Sequence, residues 1–373
     1  MSREIIPPAS RFVNLPAGFS MKRGGNLHEA RVAYETFGKI NSQRDNVILI
    51  LTGLSPNAHV TSCSEDPTPG WWEQMVGLGK PIDTNRWFVI CINSLGSCKG
   101  STGPATIDPF TGKPYGIDFP ELSIEDIADA TAHVVHFLGF ERIACVIGTS
   151  MGGMTALSLL QRYPYLARCH INISGAVHSL PFSIAIRALQ RDAICNDPAW
   201  QFGQYSATHY PLQGMITARK LGLITYRSAE EWRSRFGRTQ STLSLSKIKG
   251  NFSGEFDIEH YLDINARRFA ENFDPNSYLY LSQSIDKFDL ANMSHPSDTR
   301  NELAKIKLEH ALILGVNSDI LFPKEQQIEI AEGLSFGGTK TYMKILHSIE
   351  GHDAFLVDIK NFGAEIKSFL AEI

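Results

Sequence analysis

Short, almost uninterrupted apolar runs recur along the chain and constrain its fold more than any other feature. Runs without alternation of polar and apolar residues are typical of parallel strands that helices cover on both faces. The runs are NVILILT at 46–52, WFVICIN at 87–93, RIACVIG at 142–148, CHINISG at 169–175 and HALILGV at 310–316. Between the second and third, SIEDIADATAHVVHFLGF has helical spacing, with Ser123 as its cap and Gly139 at its end. Strand, helix and strand in this order predict an α/β fold with a doubly wound, mostly parallel sheet.

The alternation of strands and helices stops in the second half of the chain. There the segments PFSIAIRALQRDAI, GMITARKLGLITY and NSYLYLSQSIDKFDLA all have helical spacing. We interpret residues 180–300 as a helical lid domain inserted into a core domain that consists of residues 1–179 and 301–373.

Composition and charge exclude several classes of function. The formal net charge is −4 over 373 residues, without a long run of lysine and arginine, so we expect neither a nucleic-acid nor a membrane-surface partner. The opening MSREIIPPAS lacks the segments of a secretory signal, and no apolar run has membrane-spanning length, which favours a cytoplasmic protein. The six cysteines show no paired CxxC spacing, so we expect reduced thiols and no metal site.

The segment GTSMGGM at 148–154 matches the G-x-S-x-G pattern of a nucleophile elbow. It follows an apolar run and opens into the apolar stretch MTALSLLQRYP, so Ser150 stands between a predicted strand and a predicted helix. Gly148 and Gly152 fit because the sharp turn leaves no room for side chains two residues either side of the serine. The alternative is an ordinary glycine-rich turn that happens to contain serine.

Two later loops supply partners for this serine. Asp319 follows the apolar run that ends at Val316, and His352 follows the strand-like segment TKTYMKILHS. The order Ser, Asp, His is the one expected of an α/β-hydrolase fold, whose three loops meet at one edge of the sheet. Asp319 as a turn residue and His352 as a surface residue are the alternatives. Five other histidines lack a comparable setting: His59, His136, His170, His178 and His310.

The oxyanion of an acyl-transfer intermediate needs two N–H donors. We predict the backbone N–H of Met151, which follows the nucleophile, and one from the loop Gly53-Leu54-Ser55-Pro56, with Leu54 as the first choice. Because backbone donors have no side-chain signature, Gly53 stays an alternative to Leu54.

Longer segments are more specific than the serine motif. They are PGWWEQMVGLGKPIDTNRWFVICINSLGSCKGSTGPA, GTSMGGMTAL, NSYLYLSQSIDKFDLA, NSDILFP and GHDAFLVD. In these segments, and over nearly its whole length, the chain resembles the homoserine O-acetyltransferase family of α/β-hydrolase acyltransferases, and most closely its serine O-succinyltransferase members. The resemblance implies that Ser150, Asp319 and His352 form the catalytic triad. It also implies a homodimer, small-molecule substrates, and coenzyme A that enters as part of the donor substrate rather than as a cofactor.

The resemblance also implies how the substrates are bound. Arg219, in the segment TARK, would hold the carboxylate of the acceptor amino acid, and Asp353, beside His352, would contact the same acceptor. Acetyl-transferring members have an uncharged residue where Arg187 stands, and the carboxylate of a succinyl group gives a reason for an arginine there. A surface role is the alternative for such arginines. The loop 53–56 is similar to that of the serine-specific members.

These inferences favour an L-serine O-succinyltransferase that forms O-succinyl-L-serine for cysteine biosynthesis. A homoserine O-acetyl- or O-succinyltransferase of methionine biosynthesis is the alternative within the family, because serine and homoserine differ by only one methylene. A lidded hydrolase, or an inactive binding protein with this fold, would have the same elbow.

Overall fold

The computed structural model describes residues 4–241, 256–291 and 299–373, so residues 1–3 of the predicted core domain and residues 242–255 and 292–298 of the predicted lid lie outside it. The strands in the described residues are β1 (Arg11–Asn14), β2 (Phe19–Ser20), β3 (Asn26–Leu27), β4 (Arg31–Phe37), β5 (Val47–Leu51), β6 (Val76–Gly77), β7 (Ile82–Asp83), β8 (Phe88–Ile92), β9 (Ile143–Thr149), β10 (Ala167–Ile173), β11 (His310–Val316) and β12 (Lys340–Leu346).

The helices alternate with strands in the core and follow one another between β10 and β11. In the described residues they are α1 (Ile124–Phe137), α2 (Met151–Arg162), α3 (Pro181–Cys195), α4 (Leu212–Tyr226), α5 (Ala229–Phe236), α6 (Asp257–Glu271), α7 (Pro275–Lys287), α8 (Thr299–Ala304), α9 (Lys324–Phe336), α10 (Ala354–Val357) and α11 (Ile359–Glu372). Within these residues, no helix combines the length and the apolar character needed to cross a bilayer.

One eight-stranded sheet organises the molecule, in the order β1-β4-β8-β5-β9-β10-β11-β12. The strands from β8 to β12 in this order run parallel, whereas β4 is antiparallel to β8 and to β1. All five apolar runs form strands of the parallel part, which confirms the predicted mostly parallel sheet. The sequence analysis missed β1 and β4, because polar residues such as Glu35 interrupt the apolar pattern of β4.

Both faces of the sheet are buried, as the continuous apolar runs require. In β5, Leu49 points into a core cluster that contains residues of α1 and α2. Its neighbours Ile48 and Ile50 point to the opposite face, against a second cluster that includes Trp72 and Phe362. Because successive side chains of a strand alternate between faces, a strand covered on both sides favours apolar residues at every position.

The predicted cap of α1 is present. The hydroxyl of Ser123 accepts a hydrogen bond from the N–H of Asp126 at 3.1 Å, and the Asp126 carboxylate accepts one from the N–H of Ser123 at 2.8 Å. This reciprocal arrangement satisfies two donors that a helix start otherwise leaves without partners.

The three helical segments predicted between residues 180 and 300 form α3, α4 and α7, and the sequence analysis missed α5 and α6. Helix α3 packs against α4 and α7, and α4 packs against α6. The division into a core and a lid domain stays a prediction.

Candidate active site

Ser150 lies at the turn between β9 and α2. Its backbone has φ 54° and ψ −121°, a region that non-glycine residues rarely occupy and that costs about 1–3 kcal/mol. A Cβ atom on Gly148 would lie 2.3 Å from the Gly152 carbonyl oxygen, and one on Gly152 would lie 2.2 Å from the Leu51 carbonyl oxygen. Both glycines are therefore required by close backbone contacts, and the serine side chain projects from a strained strand-to-helix turn.

Three side chains from separate loops form one chain of hydrogen bonds. His352 Nε2 lies 2.8 Å from Ser150 Oγ, and His352 Nδ1 lies 2.7 Å from Asp319 Oδ2. The other oxygen of Asp319 accepts hydrogen bonds from the N–H groups of Leu321 and Phe322, at 2.9 and 3.0 Å. Asp319 is thus fixed by its own turn, and its free oxygen orients the imidazole toward the serine.

The surroundings of His352 favour its protonated form. Burial lowers its pKa, but the charge and hydrogen bond of Asp319, with a contribution from Asp353, raise the pKa above its ordinary value. The ring stacks on Phe322 with centroids 5.1 Å apart and lies 6.1 Å from the ring of Tyr226. Packing and electrostatics therefore hold the imidazole in one orientation and increase its affinity for a proton.

The two predicted oxyanion donors lie next to the serine. Met151 is the first residue of α2, so its N–H has no acceptor within that helix. Leu54 lines the same cavity as Ser150, and a Cβ atom on Gly53 would lie 4.0 Å from the Ser150 Cβ. The next loop residues, Ser55 and Pro56, are partly exposed. The choice between Leu54 and Gly53 stays a prediction.

A cavity extends from Ser150 between the sheet edge and the helices α3, α4 and α7. Its lining residues are Leu54, Ser150, Ile186, Arg187, Gln190, Thr225, Tyr226, Tyr278, Ile285, Leu321, Phe322 and His352. Most of this lining is apolar, and Arg187 is its cation. An acyl group attached to Ser150 would be shielded from water here.

Arg187 lines the cavity, but it already has an anionic partner. Its Nε donates to Asp286 Oδ1 at 2.5 Å, and a terminal nitrogen donates to Ser179 Oγ at 2.7 Å. The second oxygen of Asp286 accepts a hydrogen bond from Arg191 at 2.6 Å. One buried carboxylate is thus shared by two arginines, which leaves one positive charge in excess within this group.

Arg219 and Asp353 each adjoin a residue that lines the cavity, namely Tyr226 and His352. The Arg219 guanidinium lies 4.3 Å from the ring centroid of Phe269 and 5.4 Å from that of Tyr226. Its buried Nε has no hydrogen-bond partner among the described residues. Burial raises the pKa of Asp353, although the positive charges of Arg227, His352 and Arg219 act in the opposite direction. The predicted acceptor ligands are therefore close enough to influence each other's charge.

The sequence analysis missed several residues of this site. Tyr226 follows Arg219 by seven residues, which is two helical turns, so both lie on one face of α4. That spacing was the available signal. Asn93 donates a hydrogen bond to the Pro56 carbonyl oxygen at 3.1 Å and so supports the loop 53–56, for which the sequence has no local signal.

A second buried histidine–carboxylate pair lies near this loop. His59 Nδ1 is 2.8 Å from Glu35 Oε2, and His59 Nε2 is 2.8 Å from the Thr68 carbonyl oxygen and 3.8 Å from Asp66 Oδ2. Burial lowers the His59 pKa, but the hydrogen bonds to Thr68 and Glu35 and the two acidic charges raise it on balance. Among the described residues, no group of three histidine, cysteine or acidic side chains is arranged to hold a metal ion.

Comparisons with known proteins agree with this geometry. The sequence pattern of the α/β hydrolase fold family matches residues 46–358. The L-serine/homoserine O-acetyltransferase of Streptomyces lavendulae is 60% identical over 370 residues, and the serine O-succinyltransferase of Xanthomonas campestris pv. campestris is 57% identical over 380 residues; each alignment covers 99% of both chains.

Solved structures lead to the same family. The homoserine O-acetyltransferase from Bacillus anthracis has a TM-score of 0.86 and 25% identity, covering 97% of each chain. An esterase structure has a TM-score of 0.84 and 26% identity, covering 97% of this chain and 99% of the esterase. The family match and the full-length relatives confirm the predicted resemblance, and the chain belongs to the α/β-hydrolase fold family, in its group of serine and homoserine O-acyltransferases.

Proposed function

We propose that the protein is an L-serine O-succinyltransferase, which moves a succinyl group from succinyl-CoA to the hydroxyl of L-serine through an acyl-enzyme on Ser150. One observation carries the proposal: the chain of hydrogen bonds from Asp319 through His352 to Ser150 ends at a cavity that α3, α4 and α7 border and that contains Arg187. The full-length relatives named serine O-succinyltransferase support it. The product, O-succinyl-L-serine, would supply cysteine biosynthesis.

In the first half-reaction, His352 Nε2 takes the proton of the Ser150 hydroxyl, and Oγ attacks the thioester carbonyl carbon. The N–H groups of Met151 and Leu54 stabilise the oxyanion. The carbon–sulfur bond then breaks, and the coenzyme A thiolate leaves with the proton from His352. Asp319 keeps the imidazole in the productive tautomer and stabilises its charged form.

In the second half-reaction, the acceptor hydroxyl gives its proton to His352 and its oxygen attacks the acyl carbon. Ser150 leaves and recovers a proton from His352. Arg219 and Asp353 would bind the carboxylate and the ammonium group of L-serine, because an amino acid presents one anion and one cation at a fixed separation. These steps use protein groups and the two substrates, with succinyl-CoA as a co-substrate rather than a bound cofactor.

Acetyl transfer to serine or homoserine is a second candidate, and a specific observation favours it. The Arg187 guanidinium already binds Asp286 and Ser179, so a succinyl carboxylate would compete with, or join, an existing ion pair. The relative from Streptomyces lavendulae is named an O-acetyltransferase for both serine and homoserine. Succinyl transfer remains our proposal, because the two arginines exceed the single Asp286 charge and an additional carboxylate would balance them.

The test is thiol release from succinyl-CoA and acetyl-CoA, each combined with L-serine and with L-homoserine, and each also without an acceptor. We expect the highest kcat/KM for succinyl-CoA with L-serine. A preference for acetyl-CoA or for homoserine would refute the corresponding part of the specificity and leave the acyl-enzyme mechanism standing. Equal thiol release without an amino acid would identify a hydrolase, and a Ser150→Ala variant with unchanged turnover would exclude covalent catalysis.

We also propose a homodimer and a cytoplasmic location, in line with the sequence prediction. Coenzyme A thioesters are intracellular metabolites, which supports the location. Light scattering of the full chain tests the assembly, with an expected mass of twice 41.4 kDa. Cell fractionation tests the location.

A further inference from the structure

Arg227 links the end of α4 to the loop that carries His352. It directly follows α4, the helix of Arg219, and its guanidinium faces acidic residues of two elements. One terminal nitrogen lies 2.6 Å from Glu350 Oε2 and 3.8 Å from Glu231 Oε1, and its Nε lies 3.4 Å from Asp353 Oδ2. Its side chain is 13% exposed, so these pairs are largely shielded from solvent screening.

The backbone at the end of α4 is also in close contact with the loop that carries His352. Gly351 has φ +68°, and a Cβ atom there would lie 2.8 Å from the Tyr226 carbonyl oxygen and 2.9 Å from the Arg227 Cα. Ser228 Oγ donates a hydrogen bond to the Ile349 carbonyl oxygen at 2.5 Å. The end of α4 is therefore held against the His352 loop by backbone contact as well as by charge, so Arg227 is not needed merely to keep the two together.

The ionisation of Asp353 depends on several neighbouring charges. The charged groups that act on it are Arg227, His352, Arg219 and Asp319, after the effect of burial itself. Burial raises its pKa and Arg227 is the largest opposing charge, so the arginine favours the carboxylate over the acid. The ionised carboxylate binds an ammonium group more strongly than the neutral acid does.

We propose that Arg227 is a positioning residue for the acceptor half-reaction, which holds Asp353 as a carboxylate oriented toward the ammonium group of the amino-acid acceptor. This inference rests on the proposed function, because it takes Asp353 as a ligand of the acceptor. It assigns Arg227 no part in acylation of Ser150, and it restricts the acceptors to amino acids with a free α-ammonium group.

The test separates the two half-reactions. Acylation is measured as the burst of thiol released when the enzyme is mixed with succinyl-CoA without an acceptor. The acceptor step is measured as the KM for L-serine at saturating succinyl-CoA. For Arg227→Met we expect a KM for L-serine that is higher by about tenfold to a hundredfold, the range for loss of a charge-assisted interaction, and an unchanged burst rate.

The pH dependence provides a readout that a purely structural role would not change. Without Arg227 the protonated form of Asp353 is favoured, so the pH below which KM for L-serine rises should move upward in Arg227→Met. Arg227→Lys keeps the charge and should recover most of the affinity. If the methionine variant does not fold, Arg227→Gln, which also removes the charge, is compared with Arg227→Lys in the same assays.

Two variants serve as matched controls. Arg235→Met removes an arginine that also pairs with Glu231, at 3.5 Å, but has no pair with the His352 loop. Glu350→Gln removes the other loop partner of Arg227 and leaves Asp353 in place. Both should change the KM for L-serine less than Arg227→Met does, because each leaves the pair of Arg227 and Asp353 in place.

A lower burst rate in Arg227→Met, with the KM for L-serine and its pH dependence unchanged, would overturn the inference and leave a structural role. Failure of the proposed function looks different: the unchanged protein would then show no amino-acid-dependent thiol release, which would refute both.

Discussion

Two buried histidines of this protein each contact a carboxylate at almost the same distance, yet they differ in what the second ring nitrogen meets. His352 Nδ1 lies 2.7 Å from Asp319 and His59 Nδ1 lies 2.8 Å from Glu35. His352 Nε2 faces the hydroxyl of Ser150, which can donate a proton, whereas His59 Nε2 faces the carbonyl oxygen of Thr68, which can only accept. The same pair can therefore serve as a base at one site and as a fixed cation at the other.

The partner of the second nitrogen also determines which form of each histidine is favoured. His352 can be neutral and offer a lone pair to the serine, because Nδ1 keeps the single proton for Asp319. Both nitrogens of His59 face oxygen acceptors, and the hydrogen bonds to Thr68 and Glu35 raise its pKa, so its surroundings favour the protonated ring. Through Glu35, His59 links β4 to the chain just beyond the loop 53–56, so its hydrogen bonds fix the segment that would supply the oxyanion donor. The partner of the second nitrogen, rather than the carboxylate, separates the two roles.

The strongest contrast is expected from the same substitution at both histidines. His352→Gln should lower kcat by about a millionfold, because it removes the base on which both half-reactions depend. His59→Gln should lower kcat by less than about tenfold, since it acts only through the loop. Thiol release with succinyl-CoA and L-serine measures both. Comparable losses in the two variants would contradict the assignment of distinct roles.

Replacing the carboxylate of the first pair should have the next largest effect. Asp319→Asn is expected to lower kcat by about ten-thousandfold, because the amide can donate to His352 Nδ1 and stabilise the wrong tautomer. The matched change in the second pair, Glu35→Gln, should lower kcat by less than about tenfold. A small effect of Asp319→Asn on the same assay would mean that the imidazole is oriented by packing alone.

The second pair should contribute to the stability of the fold. Glu35→Gln replaces a charge-assisted hydrogen bond with a neutral one in a buried site, so we expect the free energy of unfolding to fall by about 1–3 kcal/mol. Urea denaturation of the variant and the unchanged protein measures the difference. An unchanged free energy of unfolding would show that His59 is not held as a cation.

The pH dependences of activity and stability should diverge, because both histidine pKa values are raised. Activity needs neutral His352, so kcat/KM should fall as the pH falls through a value above the ordinary histidine pKa of about 6.5. Stability from protonated His59 is fully present below the unfolded-state pKa and is lost as the pH rises through the folded-state pKa.

His59→Gln tests this divergence. The variant should lose less thermal stability than the unchanged protein between neutral and alkaline pH, while the acid limb of its kcat/KM profile stays in place. Thermal unfolding and thiol release over the same pH series measure the two limbs. If the acid limb of the kcat/KM profile moves in His59→Gln, His352 alone does not determine that limb.

Local rules allowed the sequence to predict the first pair. Gly148 and Gly152 mark the elbow because backbone contacts forbid side chains there, and Asp319 and His352 follow strands whose carboxyl ends meet at one edge. The second pair has no such signal. Glu35 lies in the middle of a strand whose pairing depends on distant residues, and its burial is visible only after the sheet has formed.

The ion pairs beside the cavity show the same limit of prediction from sequence. The position of Arg187 in the lid helix suggested a cation near the acyl group, and the structure places it in the cavity lining. Its partner Asp286 is 99 residues away in α7, so the pairing depends on how two lid helices pack. Helical spacing predicts which face of a helix is buried, but not which side chain of another helix it meets.

The contact of Gly351 with the end of α4 has a consequence for protein engineering. A graft that transfers the lid of a relative into this protein replaces the backbone against which the His352 loop rests. Residues 226–228 and 349–353 must therefore be exchanged together. A mismatch between these two segments would displace His352, the general base, even when every helix residue that lines the acyl cavity is correct.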